Sequence, residues 1–302
     1  MREKSSSRLQ ISVFGLWRDS ESYINKTLSQ FESLEEKHDL SYYFYENDSE
    51  DKTPTILKKW MKDRKGCFHS ETFGDEKYGN KESLDRQKTR DEKMASYRNA
   101  MLQLGKKDKV DSEWSMVLDT DIEFKDTIVE DFLACHYKDV IMMTPHIEHN
   151  NKCHMCEPQC NKWAYYDSYA LRTKENPRRS ITFSCNPFWE SHNRKEYAKG
   201  NPVEVECAFG GISLIKTKAL LKGKWGTEGD CEHVFFANSI QKYGKIIVCP
   251  TVKAWTEVEP IVPNQNFLEF QKTQVGDPWA QKAALVAQQR GLPHYENIQG
   301  RH

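Results

Sequence analysis

Residues Trp114-Ser-Met-Val-Leu118, followed at once by Asp119-Thr120-Asp121, decide how the rest of the chain is read. The first five form a short apolar run of the length expected for a buried strand. Two acids separated by one residue follow it directly. Alternate residues of an extended segment point the same way, so both carboxylates can face one ion. Hard divalent cations such as Mg2+ and Mn2+ prefer carboxylate oxygens and can bridge from them to a diphosphate. Taken alone, the triplet also reads as a polar strand end that caps the next helix. Its place at the end of a core strand, well inside the chain, favours the metal reading.

Working outward, strand-like and helix-like segments alternate. Ile11 to Leu16 is a first apolar strand ending in Trp17-Arg18-Asp19. Ile24, Leu28, Phe31 and Leu34 recur at helical spacing, so Ser22 to Lys37 reads as an amphipathic helix. Leu40 to Tyr45 reads as a strand that stops at Glu46-Asn47-Asp48. Pro54 to Lys65 reads as a helix with proline in its first turn. Asp75 to Asp91 mixes charges without a core pattern and is expected to be a solvated loop. Met94, Tyr97, Met101 and Leu104 restore a helical stripe before the strand at Trp114. A helix over Thr127 to Cys135 and a buried strand over Asp139 to Thr144 follow. This order predicts an α/β fold with a mainly parallel sheet flanked by helices. In such sheets ligands sit beyond the carboxyl ends of the strands, where Arg18, Glu46, Asp48, Asp119 and Asp121 all fall.

The second half is less regular. Cys153 to Pro202 is long and loop-rich but carries many aromatics, which argue for order. Strand character returns around Val203 to Ile215, a helix opens after Asp230-Cys231-Glu232-His233, and Lys245 to Cys249 is another buried strand. Residues 1–270 are expected to form one domain, with a regular half over about 9–130 and a loop-rich half over about 131–270. Residues 271–302 read as a polar tail or helix.

Composition excludes several classes. Of 302 residues, 44 are Lys or Arg and 45 are Asp or Glu, a net charge of −1, so the basic excess of a duplex-binding protein is absent and no nucleic-acid partner is expected. The aromatic content of 12% argues against disorder. No apolar run reaches the roughly 18–20 residues of a membrane-spanning helix. The stretch from Ile11 to Trp17 is too short for a secretory leader. The expectation is a cytoplasmic protein.

Nine cysteines, an odd number at wide spacing, favour a reducing compartment. Three of them lie close together, at Cys153, Cys156 and Cys160, with His149 just upstream. Thiolates at this spacing could converge with an imidazole on a structural Zn2+, form a disulfide, or remain free thiols in a loop.

Beyond its separate motifs, the chain resembles the GT-A-fold glycosyltransferases. Within that group it is similar to the fungal mannosyltransferases of the Anp1 (mannan polymerase) and capsule-associated types. The resemblance rests on the ordered set Ala95-Ser-Tyr-Arg98-Asn99, Trp114 to Asp121, Asp139 to Pro145, Tyr166-Asp167-Ser168-Tyr169-Ala-Leu-Arg172, and Asp230-Cys-Glu232-His233 followed by Tyr243 to Pro250. Together these cover roughly residues 10–260. The chain departs from the family in three respects. No N-terminal Golgi anchor is expected, which fits an enzyme of the kind a large DNA virus would encode for its own glycans. The Cys153–Cys160 insert has no counterpart. The usual histidine ligand after the last core strand has no match, with Trp255 and Thr256 in its place.

The resemblance implies a nucleotide-sugar donor, GDP-mannose or a UDP-sugar, and a glycan acceptor. It implies that Asp119 and Asp121 hold Mn2+ or Mg2+. Leu16, Trp17 and Arg18 would flank the nucleotide, with Glu46 or Asp48 accepting hydrogen bonds from base or ribose. Arg98 would offer its guanidinium to a phosphate, or else form an ion pair. Gly210 and Gly211 would admit the donor sugar close to the backbone, or else mark a bulge. Asp230 and Glu232 are the acid/base candidates, although acids at a helix start also serve as caps. Tyr166, Asp167 and Trp189 are expected on the acceptor side. Two other readings use the same residues. A nucleotidyltransferase would want a glycine-rich, lysine-bearing phosphate loop, which Phe14-Gly15-Leu-Trp-Arg18 is not. A zinc-stapled interaction module would not need the acid pair.

Overall fold

The structure is a computed structural model, and it describes residues 8–74, 84–152, 163–177, 184–188, 190–228 and 231–256. The first half alternates as expected: β1 (Gln10–Trp17), α1 (Ile24–Glu35), β2 (Asp39–Asn47), α2 (Thr53–Trp60), β3 (Gly66–Glu71), α3 (Leu84–Lys107) and β4 (Trp114–Asp119). Then come β5 (Ile122–Phe124), α4 (Ile128–Leu133), β6 (Val140–Lys152), β7 (Trp163–Tyr165), α5 (Ser191–Ala198), β8 (Val203–Val205), β9 (Ile212–Lys216), α6 (Thr217–Leu220), α7 (Glu232–Ile240) and β10 (Lys245–Thr256).

One sheet holds all the strands, in the order β3-β2-β1-β4-β9-β6-β10-β5, with β7 beside β6 and β8 beside β10. The pairs β1–β2, β1–β4, β2–β3 and β6–β10 are parallel. β9 runs antiparallel between β4 and β6. β1, β2, β3, β4, β6 and β10 therefore all point one way, and their carboxyl ends line one edge.

The core explains why these segments fold as they do. On α1 the buried residues are Ile24, Thr27, Leu28, Phe31 and Leu34, the stripe a 3.6-residue period requires. Phe31 anchors an aromatic cluster with Tyr42, Phe44, Trp60 and Phe124, their ring centroids 5.5 to 6.2 Å away. Each such ring contributes about 1.5–3 kcal/mol through burial. β4 is buried along its length except at Asp119.

Four elements differ from expectation. The mixed-charge stretch Asp75 to Asp91 is helical from Leu84 onward, and residues 75–83 lie outside the described residues. Asp91 is buried and accepts a hydrogen bond from the Tyr169 hydroxyl at 3.1 Å, 78 residues away, a partnership that leaves no periodic trace. β3 had no strand signal because it is a mostly exposed edge. β6 and β10 run past their apolar cores to Lys152 and Thr256, each paired there with the other or with a neighbour.

Gly66 opens β3 with φ +109°, and a Cβ there would lie 1.9 Å from the Tyr42 carbonyl oxygen. Gly66→Ala therefore combines backbone strain with a clash against backbone that cannot yield. The expected result is a loss of at least about 2 kcal/mol of unfolding free energy, read from the urea midpoint.

Candidate active site

The acid pair sits where β4 ends. Asp119 is more than a third exposed, and its backbone N–H donates to the Gly211 carbonyl at 2.7 Å. α3 carries Arg98 beneath it, fully buried. Arg98 Nη2 donates to Asp119 Oδ1 at 2.8 Å, and Nε donates to Glu232 Oε1 at 3.4 Å. Burial alone would lower the Arg98 pKa, but the two carboxylates outweigh it and raise it. The guanidinium also lies 5.0 Å from the Phe209 ring centroid, and its Nη1 is buried without a hydrogen bond. Arg98 thus ties the end of β4 to the start of α7.

Asp121 is half-buried on the same turn. Burial and the charge of Asp119 push its pKa up to about 6. Thr120 between them is buried, its carbonyl accepting from Thr27 Oγ1 at 2.6 Å. One side of the turn is thus anchored to α1, which fixes the direction of both carboxylates. Tyr166, close to both acids, has its pKa raised by burial and by Asp121, Asp167 and Asp119.

The Gly210-Gly211 turn precedes β9. Both residues have left-handed φ, +65° and +66°. A Cβ on Gly210 would meet Pro145 Cδ at 2.8 Å, and one on Gly211 would meet Ile122 Cδ1 at 2.5 Å. The turn is held from outside: Asp167 Oδ2 accepts from the backbone N–H of Phe209 at 3.1 Å and of Gly210 at 2.6 Å. Burial pushes the Asp167 pKa up to about 6 despite those two donors. Phe209 stacks on His233, centroids 3.9 Å apart, and burial with the nearby Arg98 charge drives the His233 pKa well down. His233 is thus a neutral packing residue beside Glu232, 3.4 Å from its Oε1.

The expected donor residues line the adjacent strand ends. Leu16 pairs in register with both Asp119 and Tyr45, and Trp17 pairs with Glu46. Trp17 is buried, while Leu16 and Arg18 are partly exposed. Glu46 is buried, its oxygens accepting from the Ser49 N–H at 2.9 Å and from the Ser70 hydroxyl. Asp48 adopts φ 51°, and its Oδ1 accepts from the N–H groups of Phe73 at 2.7 Å and Gly74 at 2.9 Å. Its slight burial is outweighed by Asn47, those two donors and Arg18, which hold its pKa low. Asp48, and Asp19 with φ 48°, place left-handed, strained backbone at the ligand edge of the sheet.

The structure therefore brings together Leu16, Trp17, Arg18, Glu46, Asp48, Arg98, Asp119, Asp121, Tyr166, Asp167, Gly210, Gly211 and Glu232 along one edge. Asp230, Trp189, Cys153, Cys156 and Cys160 lie outside the described residues. His149 lies in β6, paired with Thr256. Among the described residues no group of three or more His, Cys, Asp or Glu is arranged to hold a metal ion. Sequence reasoning missed Thr27, Phe209 and Phe73, whose roles depend on contacts between distant segments. No helix among them is long and apolar enough to cross a membrane.

Two solved structures are similar to this chain. A mannosyltransferase, PcManGT from Pyrobaculum calidifontis, in complex with GDP-Man and Mn2+, aligns with a TM-score of 0.51 at 14% identity, over 97% of this chain and 79% of that one. TarS 1–349 of S. aureus aligns with a TM-score of 0.48 at 14% identity, over 96% and 71%. The architecture is GT-A, and the chain is a glycosyltransferase. Its residues 21–261 match the family described as cryptococcal mannosyltransferase 1, and the chain belongs to that family. No curated protein sequence matches it.

Two predictions follow from this geometry. Arg98→Met leaves Asp119 and Glu232 without their shared cation and is expected to cost about 3–5 kcal/mol of stability by chemical denaturation. Arg98→Lys, a point charge that cannot reproduce the planar fork, should recover only part of it. Asp167 favours its protonated form in the folded state, so its contribution is fully present below about pH 4 and is lost as pH rises through about 6. Comparing the wild type with Asp167→Asn at pH 4.5 and 7 by urea titration, the variant should lose less stability on going to the higher pH.

Proposed function

We propose that the chain transfers a mannosyl residue from GDP-mannose to a hydroxyl of a glycan acceptor, with Mn2+ or Mg2+ held by Asp119 and Asp121. The observation that carries this reading is the acid pair at the carboxyl end of β4, braced by Arg98 and flanked by the strand ends of β1 and β2. Family membership supports the sugar, and the Pyrobaculum mannosyltransferase, bound to GDP-Man and Mn2+, supports the nucleotide and the metal.

The residues fit such an ion. Both donors are hard carboxylates on one turn, and the single charge of Arg98 is set against Asp119 and Glu232, so with Asp121 the cluster of three carboxylates stays net negative when ionised. Bound there, the cation would neutralise charge gathering on the departing nucleoside diphosphate. The chain's own residues do the rest. Arg98 fixes the Asp119 carboxylate, so no reorganisation is needed there during transfer. Leu16, Trp17 and Arg18 border the nucleotide, and Gly210-Gly211 lets backbone approach the donor sugar without side-chain obstruction. Tyr166 and Asp167 face the acceptor, with the Asp167 carboxylate also fixing the glycine turn. If transfer inverts the anomeric centre, a carboxylate must take the acceptor proton. Glu232 is committed to Arg98, so this role falls to Asp230.

The test is a thermal-shift panel of GDP, UDP, GDP-mannose and UDP-sugars, each with and without Mn2+. A ligand at 100 times its Kd adds about 2.7 kcal/mol of stability. GDP and GDP-mannose should raise the melting temperature only with metal, and Asp121→Ala should abolish that dependence and cut kcat on the order of 10^2-fold or more. A shift with UDP alone would replace the donor. Full activity in Asp121→Ala would overturn the metal site.

A further inference from the structure

Among the described residues the exposed large hydrophobics are Phe73, 50% accessible, and Tyr243, 39%. Tyr243 precedes β10 at the opposite edge of the sheet and lies beneath the ammonium groups of Lys222 and Lys242, at 5.0 and 5.2 Å. Phe73 stands at the ligand edge, two residues beyond the end of β3.

We propose that Phe73 is the platform on which the nucleobase of the donor stacks. This inference rests on the donor-site reading above and adds to it the group that engages the base. Three observations carry it. First, the segment bearing Phe73 is fixed before any ligand arrives. Its N–H and that of Gly74 both donate to Asp48 Oδ1, and the Asp48 N–H donates to the Glu71 carbonyl at 3.2 Å. Second, the ring is backed by aromatics. It lies against Tyr97, centroids 5.7 Å apart and 32° between planes, and Tyr97 in turn stacks on Tyr45 at 6.3 Å. Tyr97 immediately precedes Arg98, so the ring that backs the platform and the brace of the acid pair are neighbours on α3. Third, its position has the right reach. Strand order β3-β2-β1-β4 sets β3 three strand spacings from β4, about 14 Å, and in the register Asp119–Leu16–Tyr45–His69 Phe73 stands four residues beyond the level of Asp119, so a nucleoside diphosphate extending outward across β1 and β2 heads toward it. Arg18 and Asp48, at the ends of the two strands between, fall where ribose and phosphate would lie.

An exposed ring on a fixed backbone gains burial only when a ligand covers it. Stacking on an aromatic face suits any base, so it adds affinity for the nucleotide without choosing guanine over uracil. A glycan could also lie on such a ring, but Tyr166 and Asp167, proposed above to face the acceptor, stand on the other side of β4, beside β6 and the glycine turn.

The experiment is calorimetric titration of the full chain with GDP, with UDP, and with pyrophosphate, each in the presence of Mn2+. It uses the wild type, Phe73→Ala and Phe73→Trp. Phe73→Ala should weaken the bound nucleotide about ten-fold or more, leave pyrophosphate affinity and melting temperature unchanged, and be rescued by Phe73→Trp. Wild-type affinity for the nucleotide in Phe73→Ala overturns the platform alone. Equal losses for nucleotide and pyrophosphate also overturn it, since the ring would then support the site only indirectly. An effect confined to the acceptor KM assigns the ring to the glycan instead. A wild type that binds neither GDP nor UDP overturns the donor-site reading, and the platform with it.

Discussion

A single buried guanidinium joins the three elements on which the site depends. Arg98 rises from α3, takes Asp119 from the end of β4 and Glu232 from the start of α7, and rests near the Phe209 ring. Removing such a group from water costs several kcal/mol, recovered only when good partners surround it. Here two carboxylates supply them. The consequence is geometric: the first acid of the pair cannot rotate freely, and α7 cannot drift from the sheet without unpairing a buried charge. Arg98 is thus a brace beneath the acids, not an open phosphate ligand, and it commits Glu232 to structure.

A second constraint comes from the glycine turn before β9. Asp167 holds the N–H groups of Phe209 and Gly210, while the Gly211 carbonyl holds the Asp119 N–H. The acid pair is therefore positioned from two sides, by a side chain from α3 and by backbone from β9. Both glycines adopt left-handed φ against close neighbours, so this turn accepts no side chain without displacement. Asp19 and Asp48 carry the matching strain on the donor side. The carboxyl edge thus carries locally unfavourable conformations on loops held by an apolar, buried sheet.

Much of the scaffold was legible. The stripe on α1, the aromatic β2, the apolar β4 and the helix after Cys231 each carry a local period or a run that physical chemistry reads directly. The acid pair was legible too, since two carboxylates one residue apart at a strand end suggest a cation. Other features were not. The first turns of α3 looked like a solvated loop because Asp91 finds its partner in Tyr169, far along the chain. β3 was silent because an exposed edge strand needs no apolar alternation. Arg98 stood as a candidate phosphate ligand or ion pair, and nothing local could decide between them.

The sequence by itself determined an alternating α/β chain, a mainly parallel sheet and an acidic pair at the carboxyl end of a core strand. These rest on periodicity and on chemistry within a few residues. Only the tertiary structure decided which groups surround that pair: Arg98, 21 residues from Asp119 and 134 from Glu232, the Gly211 carbonyl, and the exposed face of Phe73. Such partnerships depend on strand order and on which helix covers which strand, and those are set by burial of the whole core, not by any segment's own pattern.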